Sequence, residues 1–261
     1  MTDEQISLSR AEQALENGEA EEAVRILKRF LQEQADNSDA QALLGEALIE
    51  AGHLEEAVSV LEEVAGQLPD DFDLQYDLGD LYFELGRPDD ACKVYESVVS
   101  RAPDQVDARV SLGLIHYHQE RMDQAEACYR DALKQNPASA FALNSLGDVC
   151  FATGRNDEAR ECFEKALALD PDDPQGHFNL AEYHYDNDDL QEAEKHCRRA
   201  VTLDPEFSFA YLTLGNICLD QEQVQESVHC FKEFLKLETS PASQEICAEV
   251  SALIDGLKGE S

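Results

Sequence analysis

The 261-residue chain contains no tryptophan and only two methionines. Basic side chains are also scarce: 20 Lys and Arg stand against 56 Asp and Glu, a formal net charge of −36. That shortage argues against DNA or RNA binding, because phosphates need clustered cations. It argues equally against anionic membrane surfaces, while it permits basic partners and favours solubility. No apolar run approaches the roughly 18 residues of a membrane span. The opening MTDEQISLSR lacks the basic start and apolar stretch of a secretory signal. The expected location is therefore cytoplasmic, where the eight cysteines would remain thiols. There is no Cys-x-x-Cys pair, no metal-finger spacing, no Gly-rich phosphate loop and no nucleophile motif. No catalytic residue, cofactor or metal site is expected, and the chain does not read as an enzyme.

What the chain does have is a period. Gly45, Gly79, Gly113, Gly147, Ala181 and Gly215 follow one another at a constant step, each preceded by Leu: Leu44, Leu78, Leu112, Leu146, Leu180 and Leu214. Ala57, Ala91, Ala125, Ala159, Ala193 and Ser227 keep the same step, as do Pro69, Pro103, Pro137, Pro171 and Pro205. A fixed period of this size marks a solenoid, in which no unit buries its apolar face alone.

Each unit reads as two helices. Over 140–153, Phe141, Leu143, Leu146, Val149 and Cys150 recur at helical spacing. Thr153-Gly154-Arg155-Asn156 interrupts them, with Asn156 expected to cap the next helix. That helix carries Ala159, Phe163, Ala166 and Leu167 on one face and ends at Asp170-Pro171, since Pro disfavours helix in the residue before it. Gly147, Ala159 and Ala166 are small because the two helices cross there, and Leu146 and Phe163 fill the space beside the crossing. Asp148, next to Gly147, is expected to face solvent.

These residues resemble the tetratricopeptide repeat family, whose pattern is matched by Leu78-Gly79-Tyr82-Gly86-Ala91-Tyr95-Pro103 and by Leu146-Gly147-Gly154-Ala159-Phe163-Ala166-Pro171. The resemblance implies an all-α fold, an α-solenoid coiled as a right-handed superhelix of seven hairpins. It makes 1–261 one domain, with repeats at 4–37, 38–71, 72–105, 106–139, 140–173, 174–207 and 208–241. A closing helix over 242–258 should cover the last hairpin with Ile246, Val250, Leu253, Ile254 and Leu257. The chain departs from the pattern in its Trp positions, which hold Gln41, Gln75, Arg109, Leu143, His177 and Tyr211, and in Arg10-Ala11 and Phe234 at the two ends.

The resemblance also implies that the first helix of each repeat lines a concave groove. The six groove positions of seven repeats hold fourteen acids, no Lys or Arg, and eight of the 19 aromatic residues. The expected partner-binding residues are Tyr76, Asp77, Asp80, Phe83, Glu84, Tyr117, Phe141, Asp148, Phe151, Phe178, Glu182, Tyr185 and Phe209. Carboxylates beside rings suit a segment rich in Arg or Lys. The family's co-chaperones hold a C-terminal carboxylate with groove cations, which this chain lacks, so that role is excluded. The expected function is a non-catalytic protein-interaction scaffold or adaptor for a protein or peptide with basic segments, as a monomer. End-to-end self-assembly and a chaperone-like holder of a basic client are the alternatives. Cys128, Cys162 and Cys230 repeat at one position, Cys150 and Cys218 at another. Equivalent residues of stacked repeats lie about 10 Å apart, too far for a disulfide. The cysteines, with His116, His177, His184 and His196, are read as packing residues.

Overall fold

The computed structural model describes the backbone of residues 3–259 and the side chains of residues 7–257. Of the expected 1–261 domain, residues 1, 2, 260 and 261 lie outside the described residues. Among these there are fifteen α-helices, one short 3-10 helix and no strand: an all-α solenoid. The helices fall into two compact units, one ending at Gln135 and one beginning at Asn136. The first holds α1 (Asp3–Glu16), α2 (Ala20–Glu33), α3 (Ser38–Glu50), α4 (Leu54–Gln67), α5 (Phe72–Glu84), α6 (Pro88–Arg101), α7 (Val106–His118) and α8 (Met122–Gln135). The second holds α9 (Ala140–Ala152), α10 (Asn156–Leu169), α11 (Pro174–Asp186), α12 (Leu190–Leu203), α13 (Ser208–Asp220) and α14 (Val224–Leu237). A 3-10 turn, Pro241–Ser243, then leads into α15 (Gln244–Gly259).

Local chemistry sets the helix ends. Asn37, Asp71, Ser139 and Asp173 are N-caps whose side chains accept backbone N–H bonds from the first turns of α3, α5, α9 and α11, satisfying donors that a helix start leaves open. Asn156 is not a cap: Arg155 occupies that place and Asn156 is the first residue of α10. Between paired helices one residue enters the left-handed region. It is Gly18, Gly52, Gly86 or Gly154 in four turns, at φ 69–76°, but Glu120, Asp188 or Glu222 in three others, at φ 58–62°. Only glycine accepts that conformation without a steric penalty.

Paired helices meet on one small-to-large contact. A β-carbon on Gly79 would lie 2.7 Å from the Tyr95 ring, on Gly113 2.7 Å from Tyr129, and on Gly215 2.5 Å from Phe231. Gly45 meets Leu61 and Gly147 meets Phe163 in the same way. Opposite them Ala57, Ala91, Ala125, Ala159, Ala193 and Ser227 are fully buried. Each large side chain at the crossing contributes about 1.5–3 kcal/mol by leaving water. Helix α15 lays Val250 and Ile254 on Phe231 and Phe234, flanked by Ile246 and Cys247. Leu253 of the expected stripe is exposed, so the covering face is narrower than its sequence suggests.

Candidate partner-binding surface

The two sets of helices differ in how their charges are met. Among α1, α3, α5, α7, α9, α11 and α13 the only Lys or Arg residues are Arg10 and Arg109. The even-numbered helices and their N-caps carry most of the chain's cations, and many of these are paired. Lys28 lies 2.7 Å from Glu56, Arg87 2.9 Å from Asp90, and Arg198 2.7 Å from both Glu194 and Glu226.

Carboxyl acidity follows the same division. Among the described residues with a resolved shift, the carboxyls held above their ordinary range are Glu46, Asp77, Asp148 and Glu182, on α3, α5, α9 and α11. Those held below it are Asp90, Glu192 and Glu226, on α6, α12 and α14, and Glu238 just after α14. Partial loss of water is the first cause of every upward shift and neighbouring carboxylates the next; Asp148 and Glu182 are half-buried, whereas Glu46 and Asp77 remain exposed. Hydrogen bonds from basic side chains lead for Asp90, Glu192 and Glu226, and a backbone N–H leads for Glu238.

In the first unit, Asp77 is raised by partial loss of water and then by Asp80, Asp73 and Asp71. Asp80 accepts the Tyr95 hydroxyl at 2.5 Å. The Tyr76 ring lies 5.7 Å from that of Tyr95, and Phe83 lies 5.2 Å from His118, which in turn is 6.0 Å from Tyr117. Glu84 is exposed.

In the second unit Asp148 does not face solvent as expected. It is half-buried, and burial, then Glu182, pushes its carboxyl up to about 7. Its Oδ1 accepts the neutral Asn179 amide at 3.1 Å. Glu182 is raised by burial and by Asp186. The Tyr185 hydroxyl donates to Asp220 at 2.7 Å; burial, then that bond, pushes it up to about 12. Phe151 is half-buried, while Phe141 is 57% and Phe209 41% exposed. Phe209 also stands edge-on to Phe234 at 5.9 Å. Phe178 is corrected: it is 9% exposed and packs on Phe207, 4.9 Å away, with Ala200 and Ala210, so it belongs to the core.

Sequence reasoning missed the buried amides. Asn144 donates to Asp173 at 2.9 Å, and Gln175 donates to Asn179 at 2.6 Å. A signal was present, because Ser145, Asn179 and Thr213 hold one place in three successive repeats and all are buried. Two facing pairs stand among residues that the sequence reads as packing residues. His177 and His196 meet at 3.0 Å through their Nδ1 atoms, and His196, stacked on His184, is pushed down to about 4 by burial and by both neighbours. The thiols of Cys218 and Cys230 are hydrogen-bonded across α13 and α14, and burial pushes them up to about 11 and about 12. Such thiols are unreactive at neutral pH.

Among the described residues, no helix is long and apolar enough to cross a membrane. No group of three or more His, Cys, Asp or Glu is placed to hold a metal ion there either.

Antiparallel helix pairs built on one constant period, with a glycine-against-ring crossing in most of them, define a helical-repeat solenoid. The sequence signature of the tetratricopeptide repeat matches residues 14–73, 76–140, 119–174 and 144–206, and the chain belongs to that family. No curated protein matches it in sequence. A tetratricopeptide repeat protein from Parabacteroides merdae is similar in structure, with TM-score 0.82 and 18% identity over 96% of this chain and 98% of that one. Yeast Tom70 is similar with TM-score 0.68 and 16% identity, over 93% of this chain and 59% of that one. The Cut9 and Hcn1 assembly of the APC/C gives TM-score 0.69 and 18% identity, over 96% and 50%.

Proposed function

We propose that the chain is a non-catalytic interaction scaffold whose odd-numbered helices receive a basic segment of a partner protein. The observation that carries this reading is the division of the carboxyls. On the even-numbered helices the strengthened acids are held by cations of the chain itself. On the odd-numbered helices partial loss of water and neighbouring acids weaken them. A guanidinium or ammonium from a partner would supply the missing counter-charge. Tyr76, Phe83 and Tyr117 in the first unit, and Phe141, Phe151, Tyr185 and Phe209 in the second, offer ring faces for the same cations.

An array of short peptides, Arg-rich, Lys-rich, neutral and acidic, tests the reading. The tightest binder is then titrated by fluorescence anisotropy at two salt concentrations. The reading expects basic peptides to win. Asp80→Lys with Glu182→Lys should weaken binding and flatten its salt dependence; it should also lower the thermal melt, because Asp80 accepts the Tyr95 hydroxyl and Glu182 is half-buried. Tyr76→Ala should weaken binding with little change in salt dependence. Unchanged binding by the double charge reversal would make this surface merely solvated.

A further inference from the structure

A different surface of the second unit carries chemistry that the scaffold reading does not use. His177 and His184 on α11 and His196 on α12 line one pocket, together with Glu164 on α10 and Glu192 on α12.

The hydrogen bonds fix where the ring protons sit. His177 Nε2 lies 3.1 Å from the Pro171 carbonyl oxygen, which can only accept, so this nitrogen carries a proton. In neutral His177 the other nitrogen, Nδ1, is then bare. It lies 3.0 Å from His196 Nδ1, so His196 donates that bond. The two Nδ1 atoms thus share one proton at the spacing that one metal ion would impose. Metal–nitrogen bonds of about 2.0–2.1 Å, opened at tetrahedral or square-planar angles, set two imidazole nitrogens about 2.9–3.4 Å apart.

The surroundings also suit a ligand pair. A metal-binding histidine is ordinarily oriented by a hydrogen bond from its second nitrogen to a carbonyl or carboxylate, and Pro171 makes that bond to His177. The His184 ring stacks on His196 at 5.8 Å with an interplanar angle of 11°. Glu164 lines the same pocket, as does Glu192, which is paired with Lys195 at 2.6 Å. The places equivalent to His177 in the preceding and following repeats hold Leu143 and Tyr211, so no neighbouring repeat duplicates the pair.

We propose that His177 and His196 chelate one divalent transition-metal ion through their Nδ1 atoms. Binding moves the His196 proton from Nδ1 to Nε2, so the ring stays neutral and no proton is released. With two protein ligands, water completes the coordination. Imidazole nitrogen suits copper, zinc and nickel, and Cu²⁺ binds most tightly in that series.

The test uses the full chain, stripped with EDTA and titrated with Cu²⁺ in excess Mg²⁺, which occupies the many carboxylates but competes poorly for imidazole. One Cu²⁺ per chain should remain bound, and its electron paramagnetic resonance spectrum should show coupling to two nitrogens. His177→Ala and His196→Ala should each lower the affinity by at least about tenfold, whereas His229→Ala should not. The spectrum of the unaltered chain decides the matter even where a variant fails to fold. Loss of the bound copper in Mg²⁺, a signal without nitrogen coupling, or undiminished binding by both folded variants would overturn the proposal.

Discussion

The ring of Phe163 occupies the volume that a β-carbon on Gly147 would need. The α11–α12 pair changes on both sides at once: Ala181 stands at the glycine place, and fully buried Cys197 takes the place that Phe163 holds one repeat earlier. Where the small residue grows by a methyl, the facing residue shrinks from ring to thiol. Gly147→Ala should therefore cost about 1–3 kcal/mol and Gly147→Leu more. The double variant Gly147→Ala with Phe163→Cys should cost less than the sum of its singles, because the two sites share one volume. Urea melts of the four proteins check this, and strict additivity would contradict it.

Asp148→Asn should stabilise the fold at pH 8 and leave it nearly unchanged at pH 4. The folded carboxyl titrates at about 7, above its ordinary 3.8, so the folded state binds more protons than the unfolded one between these values. Stability from this group is present below about pH 4 and lost as pH rises through 7. Asn removes that loss while its amide oxygen can still accept the Asn179 N–H. The expected gain at pH 8 is about 1–3 kcal/mol. Melts across pH 4–8 measure it; a destabilised variant at pH 8 would show that the charge is compensated.

Glu222 holds φ 62° in a turn where four equivalent residues are glycine. Glu222→Gly should be neutral or stabilising by up to about 1 kcal/mol, the relief of left-handed strain exceeding the added freedom of the unfolded chain. Asp188→Gly, at φ 59°, should give less, because Asp tolerates this region better. Chemical denaturation of both variants ranks them.

Removing 244–261 should uncover Phe231 and Phe234, on which Val250 and Ile254 now rest. End caps keep such stacks soluble, so the truncated chain should melt lower and self-associate. Light scattering over a concentration series reads the second effect. A monomer with an unchanged melt would show that α15 adds nothing to the last helix pair.

The repeat was legible because backbone rules act locally. Leu146-Gly147 and Asp170-Pro171 announce a crossing and a stop without outside information. Helix starts were less so: Asn156 has a cap's chemistry but sits one residue inside α10, where Arg155 had no signature to mark it. Burial was the harder quantity. Asp148 and Phe178 stand at positions that a helical wheel assigns to an open face. Yet Asn179 covers the first, and Phe207, from the turn after α12, covers the second. Neither neighbour shares a helix with the residue it covers, so neither contact is encoded by the local period. His177 and His196 were legible as neighbours in sequence, but their contact was not, because they stand on different helices with a turn between them.

The unequal acidity of the two helix sets bears on how any cation would be received. A carboxyl near pH 7 with a pKa of about 7 is half protonated. A cation docking on Asp148, as proposed, would have to displace that hydrogen and the covering Asn179 amide, so association there would become an exchange reaction that releases part of a proton per site at neutral pH. The heat measured by calorimetry would then depend on the ionisation enthalpy of the buffer, and the affinity would climb with pH until the site is fully ionised. If the proposed partner docks there, one aspartate would tie its capture to the hydrogen-ion concentration of the surroundings.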